Sequence, residues 1–112
     1  MASSDESITS NTSTSTSTAA PGVLPLHGVR VLDLTRVFAG PIAGRTLSDL
    51  GADVVKVEPP DGDVTRLWGR KTAGLSTYFT QQNCGKRNVC IDLNTEGGPE
   101  LVAQLAEQAD VL

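Results

Sequence analysis

The residues best placed to do chemistry lie in Thr35-Arg36-Val37-Phe38-Ala39-Gly40-Pro41, where an arginine and a small-residue pair lead into a proline. Pro41 suits the first turn of a helix, because its ring presets φ and no N–H is needed there. Such a helix would aim its free backbone N–H groups and positive dipole end at the loop beside Arg36, an arrangement that takes a phosphate. The plainer reading is an ordinary turn whose glycine only eases packing. Glu58 follows about twenty residues after the loop, where a dinucleotide site keeps its ribose-binding acid. The glycines do not agree, since Gly40-x-x-x-Gly44 is not G-x-G-x-x-G and Pro41, Ile42 and Ala43 fill the place of the close-approach glycine. NAD binding is therefore disfavoured against another phosphate-bearing ligand.

The elements that must position these groups are legible on either side. Val29 to Leu34 is a short β-branched and leucine-rich run that reads as a buried parallel strand. Ile42, Ala43, Thr46, Leu47 and Leu50 recur at helical spacing after Pro41, and Gly51 is placed to close the helix. Asp53 to Val57 gives a second strand ending in Glu58, and Pro59-Pro60-Asp61-Gly62 breaks it. Strand, helix, strand makes a right-handed βαβ unit with the Thr35–Gly40 loop at the carboxyl end of the first strand, where open α/β sheets bind ligands.

Farther along, Asp61 to Arg66 reads as a turn, because it lacks the ligand rhythm of a calcium loop. Arg66 and the lone Trp68 could line an adenine or acyl pocket, or Trp68 could plug the domain edge, the commoner use of such a residue. Tyr78-Phe79 begins an apolar face, and Asn88 to Leu93 alternates toward a third strand. The preceding Lys86-Arg87 pair reads as solvated surface, or as bases that neutralise phosphates at the sheet edge. Pro99 opens a helix with Leu101, Val102, Leu105, Ala106 and Ala109 inward, and Ala109 to Leu112 begins a fourth strand. The expected fold class is thus α/β, a partial Rossmann-like parallel sheet with flanking helices. A strand broken off at Leu112 would expose a sheet edge.

Composition narrows the partners. The first 25 residues are expected to be a disordered Ser/Thr-rich leader, nearly free of large apolar side chains, and residues 26–112 to be an incomplete domain. The leader has neither the charge nor the apolar run of a secretory signal and lacks the character of a mitochondrial presequence, so a cytoplasmic protein is expected. Asn11-Thr12-Ser13 then matches the glycosylation sequon by chance. No apolar run approaches membrane-spanning length. All nine bases lie from Arg30 to Arg87 beside six acids, leaving a local charge of +3 within a chain of net charge −4. That suits a phosphate-bearing ligand, and no aromatic-interleaved basic patch supports nucleic acid. Cys84 and Cys90 lie without a nearby histidine, suggest neither zinc nor a disulfide, and are expected reduced and partly buried. His27, the one histidine, makes no case for metal binding or catalysis.

From Leu26 to Leu112 the chain resembles the class III CoA-transferases, the CaiB/BaiF family that includes formyl-CoA transferase, carnitine CoA-transferase and α-methylacyl-CoA racemase. The resemblance rests on LHGVRVLDLTRVFAGP, on LGADVVKVEPP with the following Gly-Asp and Arg, on GKRNV with IDL, and on the closing helix, all in register. It implies an amino-terminal quarter of a Rossmann-like large domain, an interlocked homodimer, and coenzyme A or acyl-CoA as substrate with a small organic acid as acceptor, no cofactor being permanently bound. Position by position, it carries the CoA-lining role to Arg36, Val37, Phe38 and Ala39, to Pro59, and to Ile91, Asp92, Leu93 and Asn94. Pro59 and Asn94 replace an arginine and a lysine of the formyl enzyme, which implies rearranged phosphate contacts. Phe38 replaces a glutamine, which argues against formyl-CoA and oxalate. Racemases of the family usually omit the stretch WGRKTAGLSTYFTQQN, so its presence favours a transferase, with the racemase as the alternative. The family works through an aspartate that forms a mixed anhydride and then an aspartyl-CoA thioester. That aspartate lies beyond position 112, so no catalytic residue is assigned, no turnover is expected of this segment alone, and a non-catalytic CoA- or nucleotide-binding module is the other alternative.

Overall fold

The computed structural model describes residues 22–112. The leader expectation over residues 1–25, together with the Asn11 sequon, therefore lies outside the described residues as far as residue 21.

Three parallel strands form the sheet: β1 (Arg30–Asp33), β2 (Asp53–Glu58) and, later in the chain, β5 (Arg87–Cys90), in the order β1-β2-β5. Arg30 stands opposite Asp53 and Asp33 opposite Lys56, while Val55 stands opposite Arg87 and Glu58 opposite Cys90. Between β2 and β5 come a short 3₁₀ turn (Val64–Leu67) and an antiparallel hairpin, β3 (Lys71–Thr72) with β4 (Leu75–Ser76). The hairpin closes on Ala73 and Gly74, both at positive φ, as two-residue hairpin loops require. Val111 makes a parallel bridge to Val31 on the free side of β1, so the fourth-strand expectation is met by a single bridge. The spatial order is thus Val111, β1, β2, β5, and the chain reverses direction across the sheet after β5.

Helix α1 (Ala39–Asp49) begins two residues before the position expected from Pro41. The first helical bond runs from Ile42 N–H to Phe38 C=O at 3.0 Å, so Pro41 sits in the first turn, where its missing N–H costs nothing. The helix ends as expected. Gly51 at φ +104° donates to Ser48 C=O and Ala52 donates to Leu47 C=O, which satisfies two terminal carbonyls. Helix α2 (Thr77–Asn83) is capped by Ser76, whose Oγ accepts from Phe79 N–H at 3.1 Å.

The core has two sides. Val31, Ala52 and Val54 pack with Leu26, Val29 and Leu47 on the α1 side. Leu32, Val57 and Ile91 pack against Val102, Leu105 and Ala106 of α3 (Gly98–Glu107), and against Ala109 just after it, on the other. Leu101 was expected inward but is 46% exposed, because the stripe that meets the sheet falls on the neighbouring positions 102, 105, 106 and 109. Strand β5 is also shorter than expected. Ile91 N–H still donates to Glu58 C=O at 2.9 Å, but the Asp92 carboxylate accepts Asn94 N–H at 2.9 Å, and this side-chain turn takes Asp92 to Asn94 out of the sheet. Cys84 and Cys90 are both free and exposed, not partly buried: Cys84 follows α2 and Cys90 lies at the end of the edge strand.

Candidate functional site

At the carboxyl ends of the strands, the loops after β1, β2 and β5 converge around a cleft of about 300 Å³. Leu34, Val57, Ile91 and Leu93 give it apolar walls, and Arg36, Pro59 and Asn94 complete its lining. Five of the nine expected site residues, Arg36, Pro59, Ile91, Leu93 and Asn94, are therefore brought together. The other four are not in the lining. Val37 and Ala39 lie on the adjoining loop and first helical turn, Phe38 is 51% exposed in a separate groove with Ile42 and Gln81, and Asp92 serves its own turn. Among the described residues the Arg36 guanidinium reaches only Gly62 C=O, at 3.5 Å, and it stays exposed beside the cleft.

Beneath the loops lies a network of buried charge that sequence reading did not anticipate. Lys86 was expected on the surface, yet its side chain is 1% exposed. Its Nζ donates to Asp33 Oδ2 at 2.7 Å, to Pro41 C=O at 2.9 Å and to Asn83 Oδ1 at 2.9 Å, which replaces all three hydrogen bonds an ammonium makes to water. Its neighbour Arg87 does reach solvent and pairs with Asp53. Lys56, also 1% exposed, donates to Thr35 C=O at 2.7 Å and pairs with Asp63 at 3.3 Å. Glu58 holds Arg66 through two bonds of 2.7 Å, accepts Asp63 N–H at 2.8 Å and takes Asn88 as a further donor. Arg66 in turn lies 3.8 Å from the centre of the Phe79 ring, while Trp68 meets Tyr78 edge to face and takes no part in the cleft. Among the described residues no group of His, Cys, Asp and Glu could hold a metal ion.

The signal that could have found the buried lysine of β2 was present in the alternation. Val54, Lys56 and Glu58 share one face of a strand, and an apolar Val54 on that face marks it as the buried one. Lys86 left no such pattern, because it lies in the turn between α2 and β5.

These partners set the carboxyl titrations. Burial alone would raise Glu58, but the Arg66 guanidinium, Asp63 N–H and Asn88 outweigh it and hold the carboxyl at about 2. Burial likewise opposes ionisation of Asp33 and Asp63; Lys86 and Thr35 lower the first, while Thr65, Val37 N–H and Lys56 lower the second. Groups depressed by folding contribute stability above their unfolded pKa and lose it as pH falls through the folded value. Stability is therefore expected to fall between about pH 4.5 and 2. Glu58→Gln should flatten that acid limb by about 2 kcal/mol, after discounting for the partly exposed Arg66. Urea titrations at a series of pH values check this, and an unchanged limb would contradict it.

A smaller cavity of about 110 Å³ lies at the opposite ends of the strands, beneath α3. The charged groups around it are paired with one another, Arg87 with Asp53 and Arg30 with Asp110. Of the two, the carboxyl-end cleft is the better candidate, with the exposed Arg36 in its lining.

The comparisons with known proteins cover the whole segment that builds this cleft. The profile of CoA-transferase family III matches residues 26–112. The formyl-CoA:oxalate CoA-transferase of Streptomyces avermitilis is 47% identical over 88 residues, covering 78% of this chain and 22% of that protein. Human succinyl-CoA:glutarate CoA-transferase is 45% identical over 91 residues, covering 80% and 21%. A crystal structure of a CaiB/BaiF family protein from Brucella suis superposes with a TM-score of 0.73 at 49% identity, covering 79% of this chain and 25% of that one. The chain thus spans between a fifth and a quarter of the length of these relatives. With the family profile matched over all but the first 25 residues, the chain belongs to CoA-transferase family III.

Proposed function

We propose that this segment supplies part of the CoA site of an enzyme that moves CoA from an acyl-CoA to a small carboxylic acid. The observation that carries the reading is the cleft in which Arg36, Pro59, Ile91, Leu93 and Asn94 meet from three separate loops. Apolar walls suit the flat base of a nucleotide, and the exposed guanidinium at the rim suits its phosphates. The names of the relatives support a transferase over a racemase, since they act on succinyl-CoA with glutarate and formyl-CoA with oxalate.

On this reading the segment belongs to a Rossmann-like large domain, in a cytoplasmic, interlocked homodimer. The nucleophilic aspartate is supplied by sequence beyond Leu112, so residues 1–112 alone bind without turning over. Calorimetric titration of the chain with CoA, and with NAD for comparison, tests the reading. CoA is expected to bind and NAD is not. Arg36→Ala should weaken CoA about tenfold, the worth of one charge-assisted contact to phosphate. Equal affinity for the two nucleotides, or an Arg36→Ala variant that binds as well as the unmodified chain, would overturn it.

A further inference from the structure

The loop after β1 is held in an unfavourable shape. Val37 has φ +73°, a region that a β-branched side chain rarely enters. Such strain persists only where neighbouring groups over-determine it. Two groups do so from below. Lys56 Nζ donates to Thr35 C=O at 2.7 Å, and Asp63 Oδ2 accepts Val37 N–H at 3.2 Å while pairing with Lys56 at 3.3 Å. Asp63 is itself fixed, since its Oδ1 accepts Thr65 N–H at 3.0 Å and Thr65 Oγ1 at 2.9 Å, and its own N–H donates to Glu58 at 2.8 Å. The Lys56 and Asp63 side chains are 1% and 0% exposed. Neither can touch a ligand in the cleft, yet both grip the backbone on either side of Arg36.

We propose that Lys56 and Asp63 are a positioning pair that clamps the Thr35–Phe38 loop in its left-handed turn and so aims Arg36 at the ligand cleft. The ligand half of this rests on the CoA reading above. The pair works by excluding relaxed loop conformations. Apparent affinity falls by the fraction of molecules in which the competent loop is populated. Releasing a strained turn lowers that fraction about 10- to 100-fold.

The experiment uses the 112-residue chain and the variants Lys56→Met and Asp63→Asn, each with and without Val37→Gly. The asparagine is isosteric and keeps the Thr65 contacts, so it remains informative if the lysine variant does not fold. Two readouts are taken: CoA affinity, and the rate of trypsin cleavage at the exposed Arg36–Val37 bond. The clamp predicts about 10- to 100-fold weaker CoA binding and faster cleavage for both variants. It also predicts that the affinity loss shrinks to about threefold or less in the Val37→Gly background, because glycine enters the left-handed turn without cost. A purely structural role would leave the loss the same in both backgrounds and the cleavage rate unchanged, and that result overturns the proposal. Faster cleavage in a chain that binds no CoA would uphold the clamp and sink the CoA reading instead.

Discussion

Replacing Lys86 by methionine is expected to destabilise the chain by about 3–5 kcal/mol, because it leaves the Asp33 carboxylate buried without its cation. The Asp33 side chain is 2% exposed and keeps only its Thr35 donors once the ammonium is gone. Pro41 C=O and Asn83 Oδ1 lose the same donor, so helices α1 and α2 lose the contact that ties both to β1. For a domain of this size that corresponds to a fall in Tm of about 15–30 °C. Removing the charge as well, in the double variant Asp33→Asn with Lys86→Met, should return about 2 kcal/mol, since the cost lies in the unpaired ion more than in the lost attraction. Urea unfolding of both single variants and the double decides it. Loss of under about 1 kcal/mol in Lys86→Met would show that the pair is idle.

The second large effect runs against helix propensity. Gly44 lies inside α1, where alanine would ordinarily stabilise by about 1 kcal/mol. Here a Cβ would stand 2.6 Å from Asp33 Oδ2 and 3.1 Å from Lys86 Nζ. Those atoms are the ends of side chains, but each is pinned by its partners and neither can swing to solvent. Gly44→Ala is therefore expected to destabilise by about 2–3 kcal/mol, an overpacking cost that reverses the usual sign. Ala43→Gly, at the exposed neighbouring position, should cost only the propensity of about 1 kcal/mol. A stabilised Gly44→Ala variant would mean that helix α1 can lift away from the ion pair at little cost.

These two predictions rest on residues that the sequence rendered poorly, and the reason is physical. The βαβ unit, the glycine stop at Gly51 and, Leu101 apart, the inward stripe from Val102 to Ala109 were legible because each follows from local periodicity or turn chemistry. The same rules placed Arg36 at the carboxyl end of β1. Ion pairing between Lys86 and Asp33 spans 53 positions, and no local pattern encodes it. The hairpin at Ala73-Gly74 is only two residues per strand, too short to alternate. Of the site residues taken from family resemblance, those whose side chains or backbone face the sheet end came together. Val37, Phe38, Ala39 and Asp92 did not: Val37 and Ala39 lie on the adjoining loop and first helical turn, Phe38 sits in a separate groove with Ile42 and Gln81, and Asp92 is consumed by its own turn. The left-handed turn at Val37 was beyond sequence reading altogether, since valine is among the residues least suited to it.

Whether the carboxyl-end cleft takes CoA can be read from amide chemical-shift mapping of the isotopically labelled chain during CoA addition. Shifts are expected to concentrate at Leu34 to Ala39, at Val57 to Gly62 and at Ile91 to Asn94, with the opposite ends of the strands around Arg30, Asp53 and Arg87 unmoved. Shifts centred on that opposite end, or none at saturating CoA, would contradict CoA binding in the cleft.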